Sequence, residues 1–480
     1  MNIGKRLIVI AAMILAASVL TAGQNSEGAK IDDLQKRIVE LEAQIKLISQ
    51  EMERLKPKPS SQVPSAGQEV AKASNTSETK PIESKQVESG KGKPIGIDVG
   101  SARITPYGTI FFNAFGNSGG TNNTDVPMWA TAGTSNASAS VRQTRLGLKL
   151  EGAKVGRARL SAVMEADFFG GFPGIGVGEN FGVVRLRLAN ARLDWEKTAV
   201  TAGQDWMVFA PQNPTSLAAA AIPQLASAGN NWARLPQVKV EHRFNTNITW
   251  QAAVLAPQTG DSATSTSFLQ QPNSGALSRT PFFQSRIAFG DKNWFGTKKP
   301  GAVGFSGHYG RSRVFTGVNS VENNVDSVGF AIDWNFPLAK RVGLVGEVFA
   351  GRNLGGFQAG IFQSYNPDSA YRVGIQLVAG GVRSIGTRGG WLQLGFVPDI
   401  AKDRLSLNAS IGIDDPRNED LLSLSLRDWR TRNLAVAFNS IYKITPQFSI
   451  AAEIRSFRTN YFYSGRKLST HLNLSAAYSF

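Results

Sequence analysis

Apolar and polar residues alternate one for one through most of this chain, beginning near residue 104. The final stretch, KLSTHLNLSAAYSF, puts Leu468, Thr470, Leu472, Leu474, Ala476, Tyr478 and Phe480 on one face. Ser469, His471, Asn473, Ser475, Ala477 and Ser479 fall on the other. Successive side chains of a strand point to opposite faces, so this period of two predicts a strand with one apolar and one polar side. TRLGLKLEG repeats it with Leu146, Leu148 and Leu150, and RARLSAVMEADFF with Leu160, Ala162, Met164, Ala166 and Phe168. So do SVGFAIDWNF, RLSLNASIGI and QFSIAAEIRS. About sixteen such segments begin near residues 104, 141, 156, 182, 198, 236, 246, 280, 301, 324, 341, 388, 403, 430, 445 and 467. Short turns and long polar loops join them in alternation, and two-faced strands in even number connected this way describe a transmembrane barrel. A soluble β-sandwich also alternates. Here, however, the polar face carries glycine and charge where a second sheet would have to pack. The apolar face turns aromatic near strand ends (Trp334, Phe336, Tyr478, Phe480), as an interfacial girdle requires.

The front of the chain has a different period. In IDDLQKRIVELEAQIKLISQEMERL the apolar residues Ile31, Leu34, Ile38, Leu41, Ile45, Ile48, Met52 and Leu55 are spaced alternately by three and four. That is a heptad seam, which needs further copies of the helix to bury it and leaves two or three strands open. The predicted coiled coil spans residues 29–56, and Pro57 stops it. Residues 57–97 are rich in Pro, Ser, Lys, Gln and Glu and too poor in large apolar residues to fold, so they read as a disordered linker. Residues 1–22 read as a cleaved export signal: Lys5 and Arg6, the apolar run from Leu7 to Leu20, then Ala22. The chain has no cysteine, which excludes a lipid-anchored cysteine and a disulfide framework. The predicted class is therefore all-β: a 16-stranded antiparallel transmembrane β-barrel over residues 98–480, preceded by a short α-helical coiled coil and a disordered linker.

Charge sharpens this picture. Residues 1–97 hold 14 Lys+Arg and 11 Asp+Glu, so residues 98–480 carry +13 of the net +16, with 27 Arg against 11 Lys. Guanidinium is favoured where carboxylates or phosphates are met in a planar, bidentate way. In an exported barrel, basic charge does not point to nucleic acid.

Several stretches resemble the DcaP-like porins: VRQTRLGLKLEG, LSAVMEADFFG, VRLRLANARLDW, TAGQDWMVFAP and GGWLQLGF, in that order and behind a coiled coil. The terminal LNLSAAYSF, with Tyr478 and Phe480, is similar to the signal read by the outer-membrane barrel-assembly machinery. The resemblance implies a sixteen-stranded porin barrel in the outer membrane, a periplasmic coiled coil and a homotrimer. It further implies passive diffusion of small anions such as dicarboxylates, with no enzymatic activity and no cofactor. A structural alternative is an envelope protein whose coiled coil tethers the outer membrane to peptidoglycan.

If the leucines face lipid, Arg145, Lys149, Arg159, Arg185 and Arg187 face the lumen as a basic wall. Glu165 and Asp167 also point inward, either across from that wall or neutralising part of it; beyond Arg187 the alternation blurs at Asn190 and Arg192. Residues 210–237, APQNPTSLAAAAIPQLASAGNNWARLPQ, are too long for an idle hairpin and rich in small residues. The resemblance implies that this loop folds inward and narrows the pore, where a positive field would concentrate anions. Other signals carry less. GNSGGT (116–121) has no acid or base partner in the sequence, and GIGVGENFG (174–182) precedes a strand rather than a helix. His242, His308 and His471 are isolated, no spacing suggests a metal site, and DDPRNED (414–420) reads as a solvated acidic loop.

Overall fold

The computed structural model describes residues 96–171, 182–259, 272–316 and 320–480. The signal segment, the coiled-coil seam Ile31–Leu55 and the linker up to residue 95 lie outside the described residues. The linker range runs one residue too far, because Ile97–Val99 already forms a short strand, β1, on β2 (Ala102–Asn117).

Sixteen strands close into one antiparallel barrel. After β2 come β4 (Arg145–Val155), β5 (Ala158–Asp167), β6 (Arg185–Asp194), β7 (Thr198–Trp206), β8 (Arg234–Arg243) and β9 (Ile248–Leu255). The far wall is β10 (Phe282–Asp291), β11 (Gly301–Thr316), β12 (Val321–Ala339), β13 (Val342–Arg352), β16 (Gly386–Phe396) and β17 (Leu405–Pro416). Then follow β18 (Arg430–Lys443), β19 (Phe448–Tyr461) and β20 (Gly465–Ser479), and β20 pairs back onto β2 from Thr109↔Ser479 to Asn117↔His471. Closure leaves no free edge, which is what hydrocarbon surroundings demand. At the seam Phe480 N donates to Gly108 O (3.1 Å), and the Phe480 ring lies over Gly108, where a Cβ would stand 2.7 Å from it. Two small pieces sit outside the ring. β3 (Asn136–Ser140) extends β4 along β2, and the hairpin β14 (Tyr365–Val373) and β15 (Gln376–Ser384) rises from the long β13–β16 connection.

The polarity of the structure is inverted relative to a soluble protein. Ile110, Phe112, Leu146, Leu148, Met164, Phe305, Phe330, Ile411, Phe438 and Leu474 are exposed, while Asn113, Gln284, Arg286, Asp333, Glu347, Asn439, Glu453 and Asn473 are buried. Exposing this much aliphatic surface to water at ~25 cal/mol/Å² would be prohibitive, so the outer surface is the lipid face of a transmembrane barrel. Sixteen strands enclose more space than their own side chains fill, and connecting segments occupy part of it.

β6 explains the blurred alternation. Its pairing with β5 runs Asp167↔Arg185 and Ala166↔Leu186, then slips at Arg187 to Glu165↔Leu188 and Val163↔Asn190. One extra residue bulges there and the phase shifts by one. Asn190, Arg192 and Asp194 therefore share a face with Val163, Ser161 and Arg159.

Candidate functional site

The chain from Met207 to Ala233, between β7 and β8, lies inside the barrel. The sequence range 210–237 overshoots it, because residues 234–237 already belong to β8. Phe209, Ala221, Gln224, Ser227, Ala228 and Asn230 are each 0% exposed. A backbone so deeply buried must find partners for its polar groups, and the barrel wall supplies them from strand to strand. Val208 and Phe209 N–H donate to Gln284 Oε1 on β10 (2.9 and 3.0 Å), and Ala210 N–H donates to Ser306 Oγ on β11 (3.2 Å). Gln212 donates from its backbone to Glu347 on β13 (3.2 Å) and from its side chain to Asp333 on β12 (3.1 Å). Thr215 exchanges bonds with Gln393 on β16 (2.8 and 3.2 Å), and its carbonyl accepts from Asn439 on β18 (2.9 Å). Beyond Ser216, which donates to Glu453 on β19, the chain reaches Gln143 just before β4. There Ala220 and Ala221 N–H donate to Gln143 Oε1 (2.8 and 2.9 Å), while Gln143 Nε2 donates to Ala218 O (3.1 Å). The segment then crosses to β17, where Gln224 accepts from Ser410 (2.9 Å).

The run Ala226-Ser227-Ala228-Gly229 lies backbone against wall. A Cβ on Gly412 would stand 2.1 Å from Ala228 O, and one on Gly229 (φ +101°) would stand 2.1 Å from Gly390 O. Only glycine fits at both positions. A second loop, residues 118–135, meets it at β18, where Asn433 donates to Met128 O and Ser227 O. Pro127 O and Met128 O accept from Arg455 and Asn433 (3.1 and 2.9 Å), and Ala130 N–H donates to Thr459 (2.9 Å). Phe209 and Phe357 pack around His308 and Phe282, so the β13–β16 connection is fixed to the same core.

The residues expected to form a basic wall occupy different levels. Arg185 and Arg187 are at the inserted loop. Arg185 makes a two-point contact with Asp167 (3.0 and 2.6 Å) and donates to Ala221 O (2.9 Å). Arg187, 3% exposed, bridges Glu165 (2.6 Å) and Asp167 (2.8 Å). The two carboxylates thus stand beside these arginines rather than across the lumen. Arg145 is opposite Asp167 in the β4–β5 register, with its guanidinium 5.9 Å from the centre of the Phe111 ring. Lys149, further down β4, lies 4.6 Å over the Tyr107 ring, and the Tyr107 hydroxyl donates to Glu165 (3.0 Å). Arg159 is at the turn end, with its side chain 77% exposed, 3.5 Å from Asp194. It lines a cavity of about 590 Å³ with Lys154, Arg157, Arg243 and Glu196. Tyr478 and Phe480 stack at the closing seam, ring centres 6.5 Å apart.

Sequence reasoning missed two kinds of residue here. Neutral amides (Gln143, Gln284, Gln393, Asn439) hold the loop, and neither charge nor periodicity marks them. Arg234, the first residue of β8, donates to Ala221 O (3.1 Å) and stacks 4.7 Å over Trp206. Among the described residues no group of three His, Cys, Asp or Glu is placed to hold a metal ion. Ser118 of GNSGGT accepts from Thr470 N–H (2.8 Å), as a loop hydroxyl does.

No protein-family model matches the chain, and no curated protein matches it. Solved structures do. The outer-membrane channel DcaP of Acinetobacter baumannii superposes with a TM-score of 0.59 at 17% identity, over 80% of this chain and 99% of that one. Pseudomonas putida OprB superposes with a TM-score of 0.51 at 9% identity, over 78% and 94%. Strand count, closure, inverted polarity and superposition agree: this chain has a fold similar to that of the outer-membrane channel DcaP.

Proposed function

We propose that this protein is a passive outer-membrane porin that prefers small anions, with dicarboxylates as the solute class, and that it assembles as a homotrimer. No reaction is involved; the protein lowers a permeability barrier. One observation carries the anion preference. On and just before the wall from β4 to β8, Arg142, Arg145, Lys149, Arg185, Arg187 and Arg234 stand with Asp125, Glu165 and Asp167, while Asp194, Asp205 and Glu241 of the same wall are matched by Arg243, Lys239 and Arg192. Four carboxylates of the far wall, Asp333, Glu347, Asp414 and Glu453, are buried and engaged. Asp333 holds Arg286 and Gln212, and Glu347 accepts from the Gln212 amide. Asp414 accepts from the Ile361 amide, and Glu453 holds Arg455 and Ser216. Permeating solutes then meet a positive field. One uncompensated charge about 10 Å away at an effective dielectric constant of about 20 is worth roughly 1.7 kcal/mol, more than tenfold in local anion concentration, and a doubly charged anion gains twice that energy.

A second reading, a closed barrel anchoring a peptidoglycan tether, is favoured by how deeply Ala221–Asn231 are buried. Planar-bilayer recording in a KCl gradient separates the two. The porin reading expects conductance with a reversal potential of anion-selective sign, shifted toward cations by Arg145→Glu. Absence of conductance points to the anchor, and a cation-selective wild type refutes the anion preference. Arg145 suits this test better than Arg185, whose replacement also removes one of the two hydrogen bonds to the loop carbonyl of Ala221.

A further inference from the structure

The outward side of β18, β19 and β20 carries three arginines toward its long-loop end, Arg432, Arg458 and Arg466. Register places Leu434 opposite Arg458, and Arg458 opposite Leu468. One step toward the long-loop end lie Arg432, Asn460 and Arg466; one step the other way lie Val436, Ser456 and Thr470. Below those come Phe438, Ile454 and Leu472. Because Ser456 is small, a groove of about 280 Å³ opens between Leu434 and Val436 on one flank and Leu468 on the other, with Arg458 and Arg466 at its upper end.

Depth decides what can occupy it. From Leu468 to Tyr478 is ten residues, about 33 Å along the strand. Tilted by roughly 40°, that is about 25 Å of height, the thickness of the apolar band of such barrels. With Tyr478 and Phe480 in the girdle at one interface, Arg458 and Arg466 stand at the headgroup level of the other. Arg432 is already held by Asp415 (2.8 and 3.2 Å), whereas Arg458 and Arg466 form no ion pair or hydrogen bond among the described residues. The strand positions beside them, Asn460, Ser456 and Thr470, are neutral.

We infer that this groove binds a phosphorylated glycolipid of the outer leaflet. The two guanidiniums take its phosphate, and an acyl chain lies over Ser456 between Val436 and Leu468. Guanidinium matches phosphate in planar, two-point geometry. A free phosphate would leave the apolar walls unused. A second copy of the chain is disfavoured because the carboxylates beside the groove are already engaged within the chain, Asp415 by Arg432 and Asp428 by the Tyr463 and Ser464 amides. The inference rests on the outer-membrane placement proposed above, with the long loops outward.

Native mass spectrometry of the purified full-length protein, titrated with diphosphoryl lipid A, dephosphorylated lipid A or inorganic phosphate, tests it. The wild type is expected to retain diphosphoryl lipid A at least tenfold more tightly than the dephosphorylated form. R458Q/R466Q should erase the difference, and R458K/R466K should keep part of it. Equal retention of both lipids, unchanged retention in R458Q/R466Q, or equally tight inorganic phosphate overturns the inference. Loss of oligomers in R458Q/R466Q, with the barrel still heat-modifiable on gels, reassigns the patch to a contact between copies. Bilayer conductance of the variants, expected to be unchanged, keeps failure here distinct from failure of the channel reading.

Discussion

Gln143→Ala should loosen the inserted loop without unfolding the barrel. Gln143 is 1% exposed and makes three hydrogen bonds to the loop, accepting from Ala220 and Ala221 N–H and donating to Ala218 O. At a net 0.5–1.5 kcal/mol each, their loss is worth about 3 kcal/mol. A decade in an equilibrium constant corresponds to about 1.4 kcal/mol, so residues 218–221 should open roughly a hundredfold more often. The barrel ladders take no part in these contacts, and the heat-modifiable folded band should melt close to the wild-type temperature. Hydrogen exchange in detergent reads the local term: the Ala220 and Ala221 amides should lose about two decades of protection while those of β17–β19 stay protected. Single-channel traces should show added flicker. Gly412→Val attacks the same loop from the far wall, because its Cβ would stand 2.1 Å from Ala228 O; it should deprotect residues 226–229 instead. Unchanged protection at Ala220 and Ala221 in Gln143→Ala would refute the anchoring role. Wild-type traces from both variants would show that the loop does not bound the permeation path.

Two further outcomes concern charge and assembly. Arg286→Ala leaves Asp333, 0% exposed, without its cation. Breaking a buried pair this way costs about 3–5 kcal/mol, so the folded band should melt at a clearly lower temperature, with Arg286→Leu/Asp333→Leu recovering most of the loss. Deleting residues 31–55 should lower the temperature at which oligomers dissociate on native gels; unchanged oligomers would leave the coiled coil without a role in assembly.

The strands were legible because lipid leaves the chain little choice. A membrane barrel must alternate along every strand, and the segments expected near residues 198, 301 and 430 begin at Thr198, Gly301 and Arg430. Alternation could not reveal the bulge at Arg187, since a bulge is defined by the partner strand it slips against. Nor did it mark the β14–β15 hairpin, which packs with loop segments and not in the barrel ring. The basic residues of β4 to β6 could be named from the sequence, but not their partners. That Arg187 bridges Glu165 and Asp167, while Arg159 stands at the turn-end mouth, depends on how far along each strand a residue lies once the barrel is closed.

By itself, then, the sequence determined a sixteen-stranded barrel with an apolar exterior and a polar interior, because period and polarity are local properties of a strand facing lipid on one side. Tertiary structure decided what fills the interior. The loop from Met207 to Ala233 is held by Gln143, Gln284, Gln393 and Asn439, neutral amides far apart in the chain, and fits because Gly412 of the wall and Gly229 of the loop lack side chains where the two backbones meet. Those contacts arise only when the sheet closes and brings distant strands around one buried backbone that needs hydrogen-bond partners.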